Sequence, residues 1–202
     1  MSFTSLCCSI NIGLQKSFTV EKMCKNEIYF ILGGSRSGKS SYALNLAETF
    51  RSEKTFIATC PVFDPEMELR IQNHKKEREN RNWHTKEETI DLIKALSDIP
   101  ERNTVLIDCI TLWLNNLLYE EIDSEKLISD ETIFSRIEDL ISKCRIREGR
   151  TFIVSNETGL GIIPDNPLAR RFRDLSGRCN QIIASSADHV YFLTAGIASK
   201  IK

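Results

Sequence analysis

Little in this sequence titrates near neutrality, and neither charge is in surplus. Its 202 residues include three histidines, and Lys+Arg 27 stand against Asp+Glu 28, for a formal net charge of -1. Nothing in that balance draws the chain to nucleic acid or to an anionic membrane, so any anion site must be built locally. No apolar run approaches the length of a membrane span. The seven cysteines (Cys7, Cys8, Cys24, Cys60, Cys109, Cys144, Cys179) contain no C-x-x-C pair, which argues against a zinc or redox site; their odd number fits reduced thiols in a cytoplasmic protein. Internal repeats, linkers and low-complexity segments are also missing.

A hydrophobic content of 41% and a charged content of 27% are those of an ordinary globular chain, and the length suits one domain with a single core. Residues 1–26 are expected to form a poorly ordered extension and residues 27–202 the domain. Ser9, Asn11, Gly13 and Gln15 interrupt the apolar residues of the extension, so it does not read as a secretory signal. Met23, just before the first strand, is a candidate start of translation.

Five segments rich in β-branched and aromatic residues stand out: IYFIL (28–32), TFIAT (55–59), TVLID (104–108), TFIVS (151–155) and HVYFLT (189–194). They are nearly continuously apolar, as strands covered on both faces are, and that predicts a parallel sheet. Helical patterns are predicted over 39–50, 66–80, 87–97, 111–119, 125–147 and 167–186. The alternation implies an α/β fold, a mostly parallel sheet with helices on both faces, with ligands at the carboxyl ends of the strands.

After the first strand, GGSRSGKS fits G-x-x-x-x-G-K-[ST]: Gly33, Gly34, Ser35, Arg36, Ser37, Gly38, Lys39 and Ser40. The glycines allow a tight turn whose N–H groups converge on phosphate oxygens, Lys39 reaches the β- and γ-phosphates, and the Ser40 hydroxyl can ligate Mg²⁺. An apolar strand before it and a helical face of Ala43, Leu46, Ala47 and Phe50 after it supply the context of a P-loop NTPase-like domain. Without that context the motif is a glycine turn with a solvated lysine. Asp108, closing TVLID, is the candidate metal carboxylate; the same side chain would also cap a helix beginning near Thr111.

In RIQNHKKER, a helix would place Arg70, His74 and Arg78 on one face. Neighbouring cations disfavour the imidazolium, leaving a neutral ring able to act as nucleophile or base beside a bound polyanion. By spacing alone the better reading of the stretch is a solvated helix whose charges pair with Glu66, Glu77 and Glu79.

The stretches ILGGSRSGKS, DPEMELRIQNHKKER with Trp83 and Glu87 beyond it, LIDCITLWLNNLL, VSNETGLGIIPDNPLARRFRDLSGRCNQ and AGIASKIK cover nearly all of the chain from Ile28 to Lys202. Together they resemble the bifunctional adenosylcobinamide kinase / adenosylcobinamide-phosphate guanylyltransferase family of cobalamin biosynthesis. The resemblance implies phosphorylation of adenosylcobinamide by a nucleoside triphosphate, ATP or GTP. Transfer of GMP from GTP onto that phosphate would follow, through a GMP–histidine intermediate matching His74, with release of pyrophosphate. It also implies a homotrimer and nucleotide contacts at Ala58, Thr59, Cys60, Lys75, Lys76, Glu77, Arg78 and Glu87, beside the phosphate loop and Asp108. Two departures stand out: Glu79 replaces the family's proline, and one extra residue precedes Trp83.

Asn156, Glu157, Gly159 and Gly161 read as a polar turn, and Asp165 or Asn166 with Pro167 as a helix start. Arg170, Arg171, Arg173 and Arg178 fit either phosphate and corrinoid amides or a surface role, and His84 and His189 read as structural. Two rival functions are a simple P-loop small-molecule kinase and a nucleotide-binding switch, although the N-K-x-D guanine-reading motif of regulatory GTPases does not occur.

Overall fold

A computed structural model of the chain describes residues 26–61, 72, 75, 76, 78, 80–124 and 128–202. Seven strands form one sheet: β1 (Ile28–Gly33), β2 (Lys54–Ala58), β3 (Trp83–Glu87), β4 (Thr104–Asp108), β5 (Thr151–Asn156), β6 (His189–Thr194) and β7 (Ile197–Lys200). Their order is β3-β2-β4-β5-β1-β6-β7, and only β7 runs antiparallel to its neighbour. The helices bounded within the described residues are α1 (Lys39–Glu48), α2 (Leu92–Ser97), α3 (Ile110–Ser124), α4 (Asp130–Arg145) and α5 (Pro167–Ser186).

The period-two pleat sorts the strand residues into two cores. Phe30, Ile57, Ile107 and Ile153 join Leu96, Leu114, Ile137, Leu175 and Ile183, so α2 to α5 cover one face. Tyr29, Ile31, Phe56, Leu106, Phe152 and Val154 join Ala43 and Ala47, so α1 lies on the other. Helices thus occupy both faces, unequally. The spacing of Ile133, Ile137, Leu140, Ile141 and Cys144 makes the buried stripe of α4, and Ser129 caps that helix by accepting from Thr132 N–H. No described helix is long and apolar enough to cross a membrane.

The expected strands are present within a residue or so of their predicted bounds. Two further strands were missed. The helix expected over 87–97 begins only at Leu92; β3 occupies Trp83–Glu87 with Trp83 buried and His84 exposed. An edge strand has one partner and one covered face, so WHTKE lacks a continuous apolar signature; mostly exposed β7 escaped for the same reason. Of the helix expected over 66–80, residues 72, 75, 76, 78 and 80 are described; the first four are helical and Asn80 lies in a turn. Residues 1–25 and 125–127 lie outside the described residues.

Charged groups tie the amino ends of the strands. Arg147 is buried, and its guanidinium donates to the carbonyls of Leu96 (2.9 Å), Ile99 (3.2 Å), Pro100 (2.8 Å) and Asn103 (3.3 Å). Gly149 approaches the same turn so closely that a Cβ would sit 2.8 Å from Arg102 O. The Asp188 carboxylate accepts from Ile28 N–H (2.8 Å) and from Arg145 (2.6 Å), joining the starts of β1 and β6. Burial works to raise the Asp188 carboxyl. The Arg145 and Ile28 hydrogen bonds, with the Arg145 charge, outweigh it and hold the group below its ordinary value.

Two outcomes are expected. Arg147→Met strands four carbonyls without their donor and should cost at least about 3 kcal/mol in urea unfolding. Asp188→Asn should cost about 1 kcal/mol near neutral pH, partial exposure discounted. Because the folded-state carboxyl titrates below the unfolded one, that stabilisation is present above the unfolded value and disappears as pH falls through the folded one. The unfolding curves of variant and wild type should therefore converge in acid.

Candidate active site

β1 ends between β5 and β6, with Gly33 opposite Asn156 on one side and Leu193 on the other. A Cβ on Gly33 would lie 2.7 Å from Leu193 O, so the chain can leave the sheet here only as glycine. The loop then closes: Ser37 N–H donates to Gly34 O (3.2 Å), and Gly38, at φ 89, turns into α1. The β6–β7 turn braces it, since Gly196 N–H donates to Ser37 O (3.0 Å) and the Gly196 Cα stands 3.4 Å from where a Gly38 Cβ would be. The amino end of α1 has no side-chain cap and no acidic residue in its first turn. Its leading N–H groups and the helix dipole therefore face the loop, a ready anion site. Lys39 is buried and curls back, its ammonium 3.2 Å from Gly34 O.

Asp108 ends β4, level with Ala58 of β2 and Val154 of β5. The pleat that puts Leu106 in the core beneath α1 turns Asp108 to the same face as the loop. Beside it Thr59 is fully buried. Its hydroxyl accepts from Cys109 N–H (2.7 Å) and donates to Cys109 O (2.8 Å), while its N–H donates to Asp108 O (3.1 Å). The Asn116 amide donates to Thr59 O (2.8 Å) and Thr89 O (3.1 Å). Thr59, expected as a nucleotide contact, thus spends its hydroxyl on locking the strand ends. Burial pushes the Cys109 thiol up to about 12, the Asp108 charge adds to this, and Lys39 pulls the other way. Cys60, half-buried, is raised first by burial and then by Asp108. The loop lysine and the strand-end carboxylate therefore act on one small region.

At the β3 end, Glu87 is exposed and pairs with Lys75 (2.8 Å). The Arg78 guanidinium is buried 4.0 Å over the Phe56 ring, and its Nε donates to Thr85 Oγ1 (3.3 Å). Lys76 is exposed. His74, Glu77 and Arg70 lie outside the described residues; Lys75 and Arg78, which follow His74 in sequence, are held by β2 and β3. At the other end of that segment the Glu48 carboxylate of α1 accepts from Trp83 Nε1 (2.8 Å) and from Arg81 (2.6 Å).

β5 lies between the strand that carries Asp108 and the strand that carries the loop. Its last residue, Asn156, is fixed through its backbone: its N–H donates to Thr111 Oγ1 (2.7 Å), and its carbonyl accepts from the Asn180 amide (3.0 Å). Glu157 N–H donates to Gly33 O (3.1 Å). Asn166, with Pro167 behind it, is the cap that starts α5. Arg171 binds Glu121 (2.8 Å) and Ile128 O, Arg170 binds Pro164 O and Asp165 O, and Arg173 and Arg178 meet Asp174 and Gln181, so all four have partners within the chain. His84 is exposed, and the His189 ring lies tilted against the Tyr29 ring, 4.5 Å between centroids.

Thr111, Asn116, Asn180 and Gly196 support the site and were not singled out from sequence. Their partners lie far along the chain, 45 residues away for Thr111, 57 for Asn116 and 24 for Asn180, so no local pattern announces them.

The chain is similar to a solved structure, a KaiC-like protein, PH0186, from the hyperthermophilic archaeon Pyrococcus horikoshii OT3. The TM-score is 0.50 at 13% identity, covering 83% of this chain and 71% of that one, a likeness of fold alone. It is 36% identical over 181 residues to the bifunctional adenosylcobalamin biosynthesis protein CobU of Escherichia coli strain K12, covering 85% of this chain and 98% of that protein. It is 39% identical over 173 residues to the corresponding protein CobP of Pseudomonas aeruginosa PAO1, covering 85% and 95%. The model of the cobinamide kinase / cobinamide phosphate guanyltransferase family matches residues 29–201, and this chain belongs to that family.

Proposed function

We propose that the protein phosphorylates adenosylcobinamide with a nucleoside triphosphate and then transfers GMP from GTP to the product, giving adenosylcobinamide-GDP and pyrophosphate. The observation that carries this reading is the uncapped amino end of α1, with buried Lys39 across the loop, on the sheet face to which Asp108 also turns. Membership of a kinase and guanyltransferase family supplies the acceptor.

In the first reaction, the loop N–H groups and Lys39 hold the triphosphate and stabilise charge on the transferring phosphoryl group. The cobinamide hydroxyl oxygen forms the new P–O bond, the bond to the β-phosphate oxygen breaks, and the hydroxyl proton passes to solvent. Ser40 and Asp108, both half-buried, are oxygen donors of the type that suits Mg²⁺ held by one or two side chains together with phosphates and waters. Such an ion, when bound, neutralises phosphate charge.

In the second reaction, a ring nitrogen of His74 attacks the α-phosphorus of GTP and pyrophosphate leaves. The cobinamide phosphate oxygen then displaces the histidine, breaking the P–N bond. Lys76, exposed on the same stretch, would meet the triphosphate, whereas Lys75 and Arg78 are engaged with Glu87 and with Phe56 and Thr85.

Incubation with Mg²⁺ and GTP labelled in the α-phosphate should leave acid-labile covalent label on wild type and none on His74→Ala. Label persisting in the variant would defeat the assignment, and a pure kinase or a switch would take up none. Lys39→Ala should lower kcat for cobinamide phosphorylation at least about 10²-fold. Turnover within a few fold of wild type would contradict its role.

A further inference from the structure

We infer that the Asn156 carboxamide contacts the terminal phosphate of the nucleotide in the loop and is a catalytic residue of the phosphorylation step. The inference rests on the kinase reading above and deepens it.

Position comes first. β5 is flanked by β4 and β1, so its last residue stands between Asp108 and the phosphate loop, directly opposite Gly33. The pleat decides direction: Ser155 turns its hydroxyl to Thr111 on the α3 side, while Val154 packs beneath α1. Asn156, one residue on from Ser155, therefore turns to the α1 face, as Asp108 does.

Rigidity comes next. Two side chains from two helices on the far face, Thr111 and Asn180, each 5% exposed, spend hydrogen bonds on the backbone N–H and carbonyl of Asn156. Glu157, the following residue, is bonded to Gly33. The backbone is thus fixed relative to the loop, as a group meant to meet a small ligand at a set distance must be.

The side chain itself is unspent. The Asn156 carboxamide makes no hydrogen bond among the described residues, and its Oδ1 is buried without a partner. Ser37, 7% exposed and on the loop across from it, also has a buried, unpartnered hydroxyl. Buried polar atoms in native proteins are nearly always paired. A phosphate oxygen cannot satisfy Oδ1, itself an acceptor, but a half-turn of the carboxamide exchanges its oxygen and nitrogen and presents an N–H donor at that position, while the Ser37 hydroxyl can donate as it stands. A carboxamide is neutral and carries two N–H donors, so it can bind a non-bridging phosphate oxygen without taking up a proton. It forms and breaks no covalent bond in the step.

The test uses full-length protein with Asn156→Ala and the near-isosteric Asn156→Asp, following cobinamide phosphorylation, thermal melting and calorimetric affinity. The ligands are the nucleoside diphosphate and a non-hydrolysable triphosphate analogue. Loss of one preorganised donor should lower kcat about 10²-fold at unchanged melting temperature. The preference for triphosphate over diphosphate should fall about tenfold in Asn156→Ala and further in Asn156→Asp, whose carboxylate repels phosphate. Turnover within about threefold of wild type, or an unchanged triphosphate preference in either variant, overturns the inference. A wild type that phosphorylates no cobinamide defeats the kinase reading itself; an active wild type with an indifferent Asn156→Ala defeats the Asn156 role alone.

Discussion

The backbone of Gly33 lies against the carbonyl of Leu193 with no room for a side chain, and the rest of the site is arranged around that contact. It sets where β1 leaves the sheet and how sharply the chain turns through Gly38 into α1. A helix begun in this way has its first N–H groups unspent, and the cost of leaving them so is recovered only when an anion arrives. The β6–β7 turn, reaching the loop through Gly196 and Ser37, keeps that arrangement from relaxing.

Around the loop, polar side chains inside the protein do two kinds of work. Thr59, Asn116, Thr111 and the Asn180 amide N–H are paired with backbone groups of the strand ends, and such paired buried groups give rigidity at little net cost. The Ser37 hydroxyl and the Asn156 carboxamide oxygen are buried and unpaired. The first set holds the carboxyl ends of β2, β4 and β5 in register. The second lies along the edge where those ends meet the loop, which is where chemistry would use it.

The stretch after β2 shows how tertiary packing revises a charge pattern. In sequence, Lys75, Lys76 and Arg78 are equivalent cations around His74. In the fold, Arg78 stacks on Phe56 and Lys75 meets Glu87, while Lys76 stays exposed. A guanidinium over an aromatic ring at the margin of a core contributes packing as much as charge, so removing it would loosen β2 and β3 together.

The sequence by itself determined the parallel α/β class, since its core strands are continuously apolar. It also determined the phosphate loop, because G-x-x-x-x-G-K-[ST] after such a strand is a local backbone instruction. The strand-end position of Asp108 was legible for the same reason, at the close of an apolar run. Edge strands β3 and β7 were not, because half-covered strands carry no comparable run. Only the tertiary structure decided that Thr59 is a clamp, that Arg78 is stacked, and that Asn156 is pinned between Asp108 and Gly33. Each of those roles is conferred by a hydrogen bond or ring contact between elements far apart in the chain, and no local spacing encodes which strand ends will stand side by side.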